Sequence, residues 1–234
     1  MRKTHELPSV SYADEQNSYL TSMGLSLEDI TQSIVDGLSH FKRTTKLHPV
    51  THAGSVAWGE INATLRALLI GKDIGWGHKH QDGLTITHNS DLGISIIATS
   101  GDRYTGNKNN IDPSTKNKKG PKARDIVISN SNLDLFEDNE SNNICETIDN
   151  INAIDQTETW VLLYHFDKKQ QEVRFELSLP KNISPIHGEE GKLRINRWRK
   201  RIIFNSISFD RSIDSRIGKL NGSTEEISFE ISKK

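Results

Sequence analysis

The chain has 234 residues, 33% of them apolar, with 30 Lys/Arg against 31 Asp/Glu and a formal net charge of −1. That length supports one sizeable domain; a mean hydropathy of −0.61 leaves little apolar surface beyond a core, and one cysteine, Cys145, excludes an intrachain disulfide and a cysteine-built zinc site. No apolar run approaches the roughly 18 to 20 residues of a membrane span, and the basic start Met1-Arg2-Lys3 has no apolar region behind it as a signal peptide would, so a cytoplasmic protein without a membrane partner is expected.

In chain order, residues 1–20 are polar and weakly patterned and read as an N-terminal arm or loose helix. Ser26 with Asp29 three residues on resembles a capping box with Asp in place of Glu. Leu27, Ile30, Ile34, Leu38 and Phe41 follow at helical spacing, with Gly37 as a weak point and Pro49 as the stop. A second helix fits 55–70, with Trp58, Ile61, Leu65, Leu68 and Leu69 on one face and Asn62 toward water. Three glycines within 71–77 act as a breaker. Alternation at 84–88 and 94–98 around Asn89-Ser90-Asp91-Leu92-Gly93 predicts a hairpin.

From Ser100 to Pro121 the chain reads as a long loop, and loops of this length inside a domain are usually functional or disordered. Residues 125–129 read as a short strand, and Ile144, Ile148 and Ile151 as one stripe of a short acidic helix. Strands at 160–166 and 173–179, the second stopped by Pro180, form a further hairpin. The tail offers strands at 202–209 and 226–232, with Asn221-Gly222 as a turn between them. The order is α+β: a mostly antiparallel sheet, two N-terminal helices packed on it and a long basic loop. The expected organisation is one domain over 21–234 behind the arm, with its basic loop at 101–124 and an acidic segment at 137–158.

The balanced total charge hides segregation. Seven Lys/Arg and two Asp fall between Gly101 and Arg124, eight acids and no Lys/Arg between Asp134 and Glu158, and six bases and no acid between Lys192 and Arg201. Blocks of opposite sign make separate surface fields, and such fields select partners. Arg guanidinium pairs bidentately with phosphate, and lysines in a glycine-rich loop suit sequence-independent phosphate contact. The candidate nucleic-acid-binding residues are Lys116, Lys118, Lys119, Lys122 and Arg124 in the loop, with Arg194, Arg197, Trp198, Arg199, Lys200 and Arg201 in the second cluster. If that cluster is helical, Arg194, Arg197 and Arg201 share a face and Trp198 is placed to stack on a base. The bland alternative is a solvated surface with Trp198 packed inward.

A second reading is a protein–protein adaptor or inhibitor that uses the acidic segment 134–158, through Asp134, Glu137, Asp138 and Glu140, against a basic partner. A third, a metal-dependent hydrolase or nuclease, would have to recruit Asp102, Asp125, Glu176 and Lys181; a cross-strand salt bridge on a solvent face is the more economical role for Glu176 and Arg174. His78, His80 and Asp82 or Asp102 could form a facial metal site, but no metal-binding motif accompanies them, and Pro49 discourages His48 and His52 from sharing a helix face. Neither glycine-containing run matches a phosphate or dinucleotide loop, so no cofactor and no catalytic residue is assigned. The leading expectation is a non-enzymatic protein that engages nucleic acid or a nucleoprotein complex through two basic segments.

Overall fold

The computed structural model describes residues 12–81, 83–109, 111–137, 157–186 and 189–210. The fold is α+β: within the described residues a seven-stranded, mostly antiparallel sheet runs in the order β1-β2-β3-β4-β5-β6, with β7 paired to β5. Its strands are β1 (Trp76–Gln81), β2 (Leu84–Asn89), β3 (Ile94–Ser100), β4 (Glu158–Asp167), β5 (Glu172–Ile186), β6 (Glu189–Ile203) and β7 (Ile207–Ser208). The helices are α1 (Tyr12–Ser22), α2 (Leu27–Arg43), α3 (His52–Ile70) and α4 (Pro121–Glu137). One pair, β3 with β4, is parallel, and α4 lies on the crossover between them.

Helix α2 starts where its sequence says it should. Ser26 and Asp29 exchange side-chain-to-backbone hydrogen bonds in a complete capping box, satisfying two otherwise orphaned N–H groups. Gly37 is less a weak point than a contact: a Cβ there would collide with the Ile61 side chain, so the glycine is what lets α3 lie close against α2. Asn62, expected at the surface, is buried and donates to the Trp58 carbonyl. Its helix begins three residues earlier than the sequence suggested, at His52.

The two sheet faces carry different cores. On one, Leu20, Ile30, Ile34, Ile61 and Leu65 of the N-terminal helices meet Ile96, Trp160, Leu162, Phe175 and Ile202. On the other, Val161, Leu163, Ile97 and Ile86 meet Val127 of α4 and Ile195 and Trp198 of β6. Alternating side chains on the central strands supply both layers. Asn130 fixes α4 to β4 by donating to the Thr159 carbonyl at 2.9 Å and accepting from the Thr159 N–H at 2.8 Å.

Several sequence-based expectations need correction. The 71–77 breaker gives way at Trp76 to edge strand β1. The short strand expected at 125–129 is the middle of α4, which opens on Pro121, a residue suited to the first helical position because it has no N–H to satisfy. Pro180 does not end its strand: β5 continues to Ile186 with register shifts around Pro180 and Asn182. The basic cluster at 192–201 is neither helix nor loop but lies within strand β6. The expected acidic helix at 142–154, Cys145 and the tail strand at 226–232 lie outside the described residues.

Candidate nucleic-acid interface

The segment 101–120 leaves the end of β3 and crosses the second sheet face. Gly101 forms an isolated antiparallel bridge with Thr115, and Lys119 another with Leu193. Thr115 N–H donates to the Ile195 carbonyl at 3.0 Å, and Lys119 N–H to the Leu193 carbonyl at 2.8 Å. The loop therefore lies alongside the first half of β6 as an irregular extra strand. Thr115 and Ile195 are buried, a bend at 116–117 leaves Lys116, Asn117 and Lys118 all exposed, and Arg194 is part-exposed with its Nε buried.

A buried ion pair holds the loop in this position. Glu176, 0% exposed, accepts from Arg201 at both carboxylate oxygens, Nη2 to Oε2 at 2.7 Å and Nε to Oε1 at 3.1 Å. It also accepts from Ser178 Oγ at 2.8 Å and from the Gly106 N–H at 2.9 Å. Arg201 extends the bracing by donating to the carbonyls of Asn107 and Ile111. Arg174 donates to Asn107 Oδ1 at 2.6 Å and pairs with Asp167 at 3.0 Å. Asp102 ties the two ends of the loop together, accepting from the N–H groups of Tyr104 and Ser114.

Gly106 has φ +71, and a Cβ would come within 2.8 Å of Arg174 Cβ, so both backbone and packing require glycine. Gly101 is required for space alone, because a Cβ would strike Thr105. The two glycines thus have different reasons.

The basic residues identified from sequence divide into three groups. Lys116, Lys118, Arg124 and Arg197 are exposed, and Lys122 and Arg194 half-exposed. Arg197 makes an ion pair with Asp112 at 3.5 Å while its side chain stays 68% exposed. Lys122 lies 4.0 Å from Asp125. Lys116 and Lys118 lie on the segment that pairs with β6 at Leu193 and Ile195, the strand that carries Arg194 and Arg197, and Lys122 and Arg124 follow directly in the first turn of α4.

The second group is structural. Arg201 is committed to Glu176, and Arg199 donates to the Asn130 carbonyl at 3.0 Å. Trp198 is 7% exposed and donates its indole N–H to the Pro113 carbonyl at 2.7 Å. Its ring has no face open to a base, which corrects the stacking role expected of it. Lys119 turns inward, its Nζ donating to Thr99 Oγ1 at 2.7 Å, and burial lowers its pKa to about 8.

Lys200 stands alone as the third case, pointing to the opposite face with its Nζ 3.1 Å from the Tyr19 ring centroid. Burial lowers its pKa, with Glu158 opposing.

His165, missed in the sequence reading, borders the loop. Its Nδ1 lies 3.4 Å from the Gly101 carbonyl. Its pKa is lowered chiefly by burial, with Arg174 and Lys116 adding to the effect and the Gly101 carbonyl and Asp167 opposing it. The register Leu163–Glu176 and His165–Arg174 between β4 and β5 is the signal that would have found it.

The other candidate groups do not assemble. Glu176 is buried and saturated by hydrogen bonds, not displayed on a solvent face, while Asp102 serves the loop backbone and Asp125 sits on α4. His78 and His80 pair across from Thr87 and Thr85, whereas His88, opposite Gly77, projects from the other face. Among the described residues no three His, Cys, Asp or Glu are grouped as a metal would require. The rings of His48 and His52 do meet, stacked at 4.6 Å, because the turn before α3 brings His48 back beside its first residue. Asp134 and Glu137 fall at the end of α4, and Asp138 and Glu140 lie outside the described residues. No protein-family model, curated protein or solved structure matches the chain.

Proposed function

We propose that this is a non-enzymatic binding protein that engages nucleic acid through the basic tract formed by Lys116, Lys118, Lys122, Arg124, Arg194 and Arg197. The observation that carries this reading is the pairing of the 115–119 segment with Leu193 and Ile195 of β6. Two basic blocks separated by some seventy residues of chain thereby become one surface. A tract of Lys and Arg on a braced backbone binds a phosphate chain mainly by releasing its counterions, with little dependence on sequence. With Trp198 turned inward, the chemistry is phosphate contact rather than base stacking.

The test is a salt titration of binding to single- and double-stranded DNA and RNA, wild type beside Lys116→Ala/Lys118→Ala/Arg194→Ala. Affinity should fall steeply with salt, and the triple variant should shallow the log–log slope by roughly one unit per cation removed. Salt-independent affinity, or a variant that binds as wild type does, would overturn the proposal.

A further inference from the structure

The connection between α2 and α3, residues 44–51, presents an anomaly of a different kind. Leu47 and Val50 are 96% and 101% exposed, as free as in an extended peptide. They are not on a slack loop. The His48 N–H donates to the Thr45 carbonyl, the Thr45 N–H donates to His48 Nδ1 at 3.1 Å, and the Leu47 N–H donates to Thr45 Oγ1. The His52 N–H donates to the Pro49 carbonyl at 2.9 Å. The local hydrogen bonds thus build a tip whose two aliphatic side chains point away from the protein.

Charge around the tip is mostly positive: the exposed Asp210, which follows the Phe209 carbonyl gripped by Lys42, and Glu172, paired with Arg174, are the acids nearest it besides Asp167. From Gly37 to Gly59 the sequence contains Lys42, Arg43 and Lys46 and no Asp or Glu, and all three cations are exposed. The β4–β5 turn adds Lys168, which lies 5.3 Å from the ring of Phe41 on α2, and the exposed Lys169. Asp167 of that turn is already paired with Arg174.

We propose that this tip docks the protein on an anionic phospholipid surface, Leu47 and Val50 entering the acyl boundary while Arg43, Lys46, Lys168 and Lys169 face the headgroups. The combination of a short apolar insertion and a basic rim is what reversible surface binding requires, since neither signal alone holds a protein on a bilayer. Protein partners draw their binding energy mostly from Trp, Tyr and Arg, with Leu and Val under-represented, and nucleic acid gains nothing from protruding aliphatics. Surface contact of this kind is independent of spanning, for which no described helix is long and apolar enough.

Vesicle co-sedimentation with phosphatidylcholine alone and with added phosphatidylserine provides the test. Wild type should bind only the anionic vesicles, Leu47→Ser/Val50→Ser should weaken binding at least tenfold, and Arg43→Ala/Lys46→Ala should do so by about fivefold per cation. Melting curves should be unchanged for the Leu47/Val50 variant, whose side chains are almost fully exposed, and should shift only slightly for Arg43→Ala/Lys46→Ala, which removes a cation from the C-terminal turn of α2. Absent binding would overturn the proposal. So would a double variant that binds like wild type, which would assign the attraction to bulk charge, or one that only changes the oligomeric state, which would assign the tip to a second copy. Lys116→Ala/Lys118→Ala/Arg194→Ala should still bind vesicles, so failure here is distinguishable from failure of the nucleic-acid proposal.

Discussion

Arg197 and Arg201 stand four residues apart in one basic run, yet they answer to different physics. Arg201 donates to both oxygens of a carboxylate that has no solvent contact, and its side chain is only 14% exposed. Removing one partner of a buried pair leaves the other charged and dry, a loss of about 3–5 kcal/mol. Arg201→Ala should therefore lower stability by about that much in urea melts, whereas Arg197→Ala, whose pair with Asp112 is solvent-screened, should change it by less than about 1 kcal/mol. A variant that removes both would lose binding for the wrong reason. Lys119 offers a pH signature at the same scale. Its folded pKa of about 8 lies below the ordinary 10.5, so between those values the unfolded chain holds more protons and stability rises with pH. The full effect has an upper bound of about 3 kcal/mol. Lys119→Met should remove this rise, read as wild type minus variant in melts at pH 7.5 and pH 10; an identical pH slope in the two would contradict it.

Elements whose signals were local could be read from the sequence; those that depend on a distant neighbour could not. The α2 capping box and the two hairpins at 84–98 and 160–179 follow from adjacent residues, and they form as expected. In α4, the β-branched run Ile126-Val127-Ile128 resembles a strand, but Pro121 sets the helix start and tertiary contacts at Val127 and Asn130 outweigh propensity. In β6, Leu193 and Ile195 alternate as a strand should, but the register shift opposite Pro180 breaks the pattern before Trp198. With six bases in ten residues, the alternation is easily taken for a charged helix face. The 101–120 segment carries no periodicity: besides the local ties of Asp102 and the Gly101–Thr115 bridge, it is held by Glu176, Arg174 and β6, all at least fifty residues away. Gly106→Ala should expose that dependence. The strained φ and the contact with Arg174 should cost about 1–3 kcal/mol and raise amide exchange selectively over 102–116. Uniform exchange across the sheet would mean the loop is not a separate cooperative unit.

At the scale of the whole molecule, the sheet separates two candidate surfaces. The parallel alignment of β3 and β4 places their C-terminal ends together, so the loop departs and the α2–α3 tip projects at the same end of the sheet. They leave from opposite faces, however: Phe41 and Phe166 connect the tip to the helical side, while Lys116 follows Thr115 over the Val161–Leu163 side. No residue named for one surface belongs to the other, and such sites ordinarily act additively. Vesicle-bound protein should therefore retain its nucleic-acid affinity within about twofold, a shift too small to indicate coupling. Combining the Leu47→Ser/Val50→Ser and Lys116→Ala/Lys118→Ala/Arg194→Ala sets should remove both activities, with each loss equal to that of its own set alone. Competition between vesicles and nucleic acid for wild type, relieved by the tract variants, would instead mean that a single polyanion surface serves both ligands. The near-neutral net charge makes the additive outcome physically reasonable, because the charge on each surface is local and, at physiological salt, screened over about 8 Å.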